Sequence, residues 1–513
     1  MQYESGIISA IRKSCFYIGV KVVFYKHLLS GLTARTLSLI MENFTMNIHK
    51  KKLIWGFIIL IVLLLFGYFD YYLWRLLSAG AGIQAKIMCS SVFISNRTPE
   101  SVLNEDLHHK VNYIRLEVDA VNQSVTATAF GIITRQAVYR EGLGSTLLAG
   151  LSREQLLSQT KVDYRKKPSR QKGLPWPDGD SLPDDELPPG IDSNKLNAVL
   201  ETAFSEPDPT CLCRTRAVVV LYDGKLIKER YAPGFTHETP LFGYGMTKSV
   251  INALTGILVG EGKLKIDEPV TIPEWSGPGD PRSAITLDQL LRMSSGLEFD
   301  DSKTPLTDSI IMFGSADMAS YAANKPLEAA PDTKFLDSNG TSNIISRIIK
   351  ETVVASDIDY FLFPRQALFD RIGMRSAVIE PDASGTFVGS TYLYATARDW
   401  ARFGLLYLND GVWEGERILP EGWVDYSRTP TPSNPYGDYG AHFWLKAIFE
   451  QKGKEVERFH LPPDTFFALG HDGQSLTIIP SRKLVVVRLG LTQNPDAWNL
   501  DSFIAGILEA LPE

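Results

Sequence analysis

The residues best placed to do chemistry lie in "FGYGMTKSVINALTGILVGEGKL", which begins at Phe242. Lys248 stands at the head of an apolar run, and the residue three before it is Gly245. Residues three apart lie on one face of a helix. A serine at 245 would have an amine beside it to take its hydroxyl proton, and the positive end of the helix would favour the anion formed. Glycine has no side chain and cannot form a covalent intermediate. A lone lysine is ordinarily a solvated surface residue. Here Met246, Val250, Ile251, Leu254, Ile257 and Leu258 follow a 3.6-residue period around it. Gly260 and Gly262 can end that helix.

No neighbour supplies the missing hydroxyl. Thr247 and Ser249 each point about 100° away from Lys248 around a helix. A literal S-x-x-K occurs at Ser158–Lys161 and at Ser169–Lys172, where about two hits are expected by chance. Both precede the main domain, with no apolar helix behind them. Gly179-Asp180-Ser181-Leu182 spells GDSL, but Pro175, Pro177 and Pro183 surround it and make it loop. The chain contains no G-x-S-x-G elbow.

The elements that must hold Lys248 read clearly on both sides of it. "DSNKLNAVLETAF", from Asp192, is a capped helix. "RAVVVLYDGKLIKERYAPG" is a hairpin turning at Asp223-Gly224. The stretch from Asp464 to Thr492 is another strand pair, and "DSFIAGILEAL" is a closing helix. The middle is helical, in "ITLDQLLRMSSGL", "TSNIISRIIKETV" and "TARDWARFGLLYLNDG". The expected fold is α+β: one antiparallel sheet built from both ends of the domain, covered by helices, with a helical subdomain inserted between. This domain spans 192–513. A proline- and charge-rich linker covers 161–191 and a small accessory region 79–160, with strand-like alternation in Val111–Phe130.

Leu53–Phe69 is 17 residues without a charge, preceded by His49-Lys50-Lys51-Lys52 and followed by "DYYLW". That predicts one transmembrane helix, within a 46–78 anchor, with its N-terminus cytoplasmic and the main domain periplasmic or extracellular. A cleaved signal peptide with "SAGAG" as its small-residue site is the alternative. Residues 1–45 are expected to be an unstructured extension. The chain has 513 residues, 44% hydrophobic and 22% charged, with a net charge of −7. That excludes a disordered chain and argues against a nucleic-acid partner. Four cysteines and eight histidines show no ligand spacing, so no metal or cofactor is expected.

Several stretches together resemble one family. "GMTKSV", "GEGKLKIDEPV", "ITLDQLLRMSSGLEF", "FLDSNGTSNIISRII", "LFDRIGM", "YLYATARDWARFGLLYLNDGVWEGERILP" and "ALGHDGQSLTIIPSRKLVVV" occur in that order. They are similar to the β-lactamase-related and penicillin-binding-protein-like serine hydrolases, in the branch of class C-like esterases and 6-aminohexanoate-dimer hydrolase. The resemblance implies a β-lactamase/transpeptidase-like fold over Asp192–Thr492, amide or ester hydrolysis through an acyl-serine, and a small or peptide-like amide or ester ligand. It puts the nucleophile at Gly245 and the lysine at Lys248. The family tyrosine falls on Asp337, with Asn339 at the third position of that element. His471-Asp472-Gly473 matches the third element, which makes His471 and Gly473 substrate contacts. Tyr392 and Tyr394 could approach the pocket, while Arg398-Asp399 reads as a structural ion pair.

Two reactive side chains of the pattern are therefore absent. Three readings stay open: an active hydrolase using Lys248 with water or a non-standard nucleophile, a membrane-anchored pseudoenzyme or binding protein, and a damaged gene.

Overall fold

The computed structural model describes residues 48–107, 113–160, 174–179, 181, 187–301, 306–447 and 461–512. Helix α1 (Ile48–Phe93) is 46 residues long, about 69 Å at 1.5 Å per residue. Its two ends are apolar for different reasons. Within Trp55–Leu64 the side chains stand exposed, Phe57 at 64% and Leu64 at 65%. Further on, Ala81, Ala85, Met88 and Cys89 are fully buried. By length and composition Tyr71–Phe93 could cross a membrane, yet 89% of its most apolar window is buried inside the protein. That half of α1 is a core helix, and it runs through Ala79 into the expected accessory region.

After α2 (Pro99–Glu105) comes a four-stranded antiparallel meander: β1 (Ile114–Asp119), β2 (Ser124–Ala129), β3 (Ile133–Arg140) and β4 (Gly144–Leu147). Its inner face is small: Val125, Ala127, Ala129 and Ala137 pack against Ala81, Ala85 and Cys89 of α1. Helix α3 (Arg153–Ser158) follows.

The larger domain opens with α4 (Ser193–Ala203), whose first amides are capped by the Asp192 carboxylate. Next come β5 (Thr215–Tyr222), β6 (Lys225–Tyr231), β7 (Leu241–Phe242) and α5 (Thr247–Gly260). The helical middle holds α6 (Leu287–Leu291), α7 (Asp308–Phe313), α8 (Met318–Ala323) and α9 (Asn339–Ala355). Then follow β8 (Val378–Ile379), β9 (Leu393–Ala395), α10 (Ala397–Leu408), the hairpin β10 (Val412–Trp413) and β11 (Glu416–Arg417), and α11 (Trp423–Arg428). The last elements are β12 (Phe466–Leu469), β13 (Ser475–Ile479), β14 (Leu484–Gly490) and α12 (Leu500–Glu509).

The central sheet has the order β12-β13-β14-β5-β6, so strands from the two ends of the domain meet where β14 pairs with β5. Both faces are covered, which is why Ala217–Leu221 of β5 and Leu484–Val487 of β14 are continuous apolar runs. Val218, Val220 and Val486 pack with Leu196, Leu200 and Phe503 of α4 and α12. Ala217, Val219, Val485 and Val487 face the larger core with Trp400 and Phe403 of α10 and Val250 and Leu254 of α5. The two sets alternate along each strand, as pleating requires.

Two polar fastenings hold outlying segments to this core. On α1, Lys86 donates to Glu380 at 2.6 Å and lies 4.1 Å above the Tyr392 ring. Glu380 is fully buried and also accepts from Ser90 Oγ and the Ser145 amide. In the proline-rich segment, Trp176 lies under the Arg402 guanidinium at 4.3 Å, which donates to the carbonyls of Pro177 and Gly179.

Candidate active site

The head of α5 is a tight turn against the end of β12. Tyr244 holds φ 49°, stacks on Phe242 at 3.8 Å and has its hydroxyl 3.4 Å from Asp472 Oδ2. Gly245 is buried with φ outside the left-handed region, so its need for glycine is spatial. A Cβ there would stand 2.9 Å from the Leu469 carbonyl oxygen and 3.5 Å from Gly470 Cα. A Cβ on Gly470 would in turn stand 2.3 Å from the Gly243 carbonyl oxygen. The two backbones meet directly, and the space a nucleophile would leave from is occupied by the strand.

Lys248, in the first turn of α5, is 6% exposed. Its Nζ donates to Asp337 Oδ1 at 2.5 Å. Asp337 lies just before α9, whose N-cap is Ser338. Burial pushes the Asp337 carboxyl up, but the Lys248 ammonium outweighs it and holds the carboxyl below its usual range. The Asp337 side chain keeps 19% exposure, so it is the wet edge of the pair. Lysine brings hydrogen-bond donors, and here one of them is committed to the Asp337 carboxylate. Its remaining donors suit an anion or a carbonyl oxygen.

The two hydroxyls that flank Lys248 in the chain are spent on backbone. Thr247 Oγ donates to the Tyr244 carbonyl at 2.7 Å, and Ser249 Oγ to the His442 carbonyl at 2.7 Å. Asn339 caps nothing in this pair: its Nδ2 donates to Ser309 Oγ at 2.9 Å, and its buried Oδ1 has no hydrogen-bond partner among the described residues. His471 meets Tyr244 edge to face at 5.5 Å, which places it beside the turn that carries Gly245. Gly473, at φ 79°, is turned toward the sheet: its carbonyl accepts from Arg488 at 2.9 Å, and a Cβ there would stand 2.6 Å from that guanidinium. Among the described residues Tyr392 and Tyr394 pack elsewhere than on the Lys248–Asp337 pair. Tyr392 faces Lys86 of α1, and Tyr394 stacks on Phe242 at 4.9 Å and packs with Ile94. Arg398 pairs with Glu229, and Asp399 with Arg402. In the S-x-x-K and GDSL stretches, Lys161, residues 169–172, Asp180 and Leu182 lie outside the described residues.

The structure adds residues that no spacing in the chain pointed to. His442, at φ 58° and 2% exposed, places Nδ1 2.9 Å from the Lys248 carbonyl and Nε2 3.3 Å from Ser342 Oγ. A carbonyl can only accept, so Nδ1 carries the proton and Nε2 accepts from the serine. Burial, with the Lys248 ammonium, pushes the imidazole pKa down to about 3. Tyr439, 1% exposed, sits between Phe335 and Trp444, at 5.1 and 4.7 Å. Burial and the Asp337 charge raise its phenol well above the ordinary value, and its hydroxyl has no partner among the described residues. Among the described residues, no group of three acidic, His or Cys side chains could hold a metal ion.

A two-faced antiparallel sheet built from both ends of the domain, with a lysine at the head of a buried helix against its edge strand, defines a protein of the β-lactamase/transpeptidase class. Residues 213–502 match the Beta-lactamase family model. That is more than half of the chain, and the chain belongs to this family. It is 23% identical over 325 residues to 6-aminohexanoate-dimer hydrolase of Paenarthrobacter ureafaciens, covering 59% of this chain and 78% of that protein. A candidate β-lactamase from Bacteroides dorei superposes with a TM-score of 0.50 at 18% identity, over 62% of this chain and 99% of the other, a likeness of fold.

Proposed function

We propose that this chain is a membrane-anchored, extracytoplasmic member of the β-lactamase-related hydrolases that has left acyl-serine catalysis and acts as a binding protein for a small or peptide-like amide or ester. The Lys248–Asp337 ion pair at 2.5 Å carries the reading. It engages the lysine that the family chemistry needs as a base, beside a Gly245 that has no nucleophile to offer. The same pair favours repurposing over decay. A buried lysine that merely lost its hydroxyl partners would be an uncompensated charge, whereas here the substituted residue neutralises it. The exposed apolar run Trp55–Leu64 supports the anchor.

The test is covalent labelling of the full-length protein with a fluorophosphonate and with a fluorescent penicillin. No labelling is expected for the wild type or for Gly245→Ser, where Lys248 is still engaged by Asp337. Labelling or ester turnover in the wild type that disappears with Lys248→Ala would overturn the proposal in favour of an active hydrolase.

A further inference from the structure

In β14 a single arginine, Arg488, interrupts an apolar run. It is fully buried, paired with Val218 of β5 on one side and Ser475 of β13 on the other. Among the described residues its guanidinium bonds only to neutral oxygens. Nε and Nη2 donate to Thr215 Oγ1 at 3.1 and 2.9 Å. Nη2 also donates to the Cys213 carbonyl at 2.8 Å and to Thr492 Oγ1 at 2.7 Å. Nη1 donates to the carbonyls of Gly473 at 2.9 Å and Asp472 at 3.3 Å. The guanidinium lies over the Trp498 ring at 4.5 Å. Burial pulls its pKa down to about 10, and it stays charged at neutral pH. A leucine would complete the same strand without desolvating an ion. Two glycines make room for the charge: a Cβ on Gly473 would stand 2.6 Å from Nη1, and one on Gly490 2.5 Å from Cζ.

What Nη1 holds is the corner between β12 and β13. Asp472 and Gly473 are consecutive left-handed residues, at φ 58° and 79°. The Asp472 carbonyl also accepts from the Thr492 amide at 2.9 Å, and the His471 carbonyl from Gln474 Nε2 at 3.0 Å. The three carbonyls of the corner are thereby taken by Gln474, Arg488 and Thr492. Its side chains meet the head of α5 instead. The Asp472 carboxylate lies 3.4 Å from the Tyr244 hydroxyl and 3.2 Å from His471 Nε2. The His471 ring meets Tyr244 edge to face at 5.5 Å and keeps 14% of its side chain exposed. Tyr244 is the residue before Gly245.

We propose that Arg488 is a positioning residue for the candidate site. It sets the corner from behind, and the corner presents His471 beside the Gly245 turn. Gly473 then serves the site by admitting the guanidinium, not by touching a ligand. The proposal rests on the reading of the Lys248–Asp337 cleft as a ligand site with His471 on its wall.

The test needs no ligand, so its failure is separate from a failure of that reading, which covalent labelling decides. The full chain in detergent is treated with diethylpyrocarbonate at neutral pH, and carbethoxylation is read at each histidine by peptide mass spectrometry. His442, 2% exposed, reports on the core, and His237, half-buried after β6, reports on the reagent. In Arg488→Met the corner loses its donors, and His471 should react several-fold faster than in wild type, with His442 still protected and His237 unchanged. Arg488→Lys keeps the charge without the planar fork and should resemble Arg488→Met. Gly473→Ala drives the corner and the guanidinium apart from the other side and should give the same rise. A His471 rate unchanged in either Arg488→Met or Gly473→Ala would overturn the proposal, as would a rise shared by His442, the mark of general loosening. Wild-type behaviour of Arg488→Lys would overturn the role given to the fork.

Discussion

Asp337→Asn removes one charge from the Lys248 pair and little else, and its effect can be worked from the geometry. At 2.5 Å and an effective dielectric of about 20, the attraction is about 6–7 kcal/mol. Several kcal/mol of ion desolvation on each side offset most of it. Removing one partner of a fully buried pair typically costs about 3–5 kcal/mol, because the other charge is left alone. Asp337 keeps 19% exposure, so water recovers part of that, and about 2–3 kcal/mol remains. In detergent-solubilised protein this predicts a fall in Tm of roughly 3–5 °C for a domain of this size. The pH dependence has a definite sign. The folded Asp337 carboxyl lies below its ordinary value. Its contribution is therefore complete above the unfolded pKa, about 4, and is lost as pH falls through the folded value. The gap between wild type and Asp337→Asn should be full at pH 7 and close below about pH 4. Lys248→Met/Asp337→Leu should recover most of the loss. An Asp337→Asn protein as stable as wild type at pH 7, or a double variant no better than either single one, would refute the pairing.

Three further outcomes follow from other contacts. Gly245→Ser puts a Cβ 2.9 Å from the Leu469 carbonyl, so overpacking should cost about 1–3 kcal/mol, read as a lower Tm in the same scan. Glu380→Gln strands the buried Lys86 ammonium, costs about 3–5 kcal/mol, and should open α1 and the meander to limited proteolysis before the central sheet. His442 is held neutral with its pKa near 3, so the unfolded chain binds one more proton between about pH 6.5 and 3. Wild-type stability should fall on acidification across that window by up to about 1.4 kcal/mol per pH unit from this residue. His442→Asn, tolerated at positive φ, should flatten the slope of denaturation midpoints against pH.

The local elements were legible because their causes are local. The 3.6 period from Met246 to Leu258, the Asp192 cap and the Asp223-Gly224 turn each lie within a few residues. The joining of the first and last strands was expected from the clustering of strand-like runs at the two ends of the domain with helices between them. The apolar stripe around Lys248 spoke against a solvated surface lysine, and Asp337 was reached through the family pattern. What the sequence could not supply was any contact decided across the fold. Lys248 meets Asp337 across 89 residues, and its carbonyl meets His442 across 194, and no periodicity reports such distances. Gly245 is the sharpest case. Its composition alone says that a nucleophile is missing. Only packing shows that the end of β12 has closed on the vacant position, so the glycine is now required by the backbone beside it. The apolar half of α1 up to Phe93 teaches the same point, since hydropathy records a wish to leave water and cannot say whether lipid or protein receives the helix.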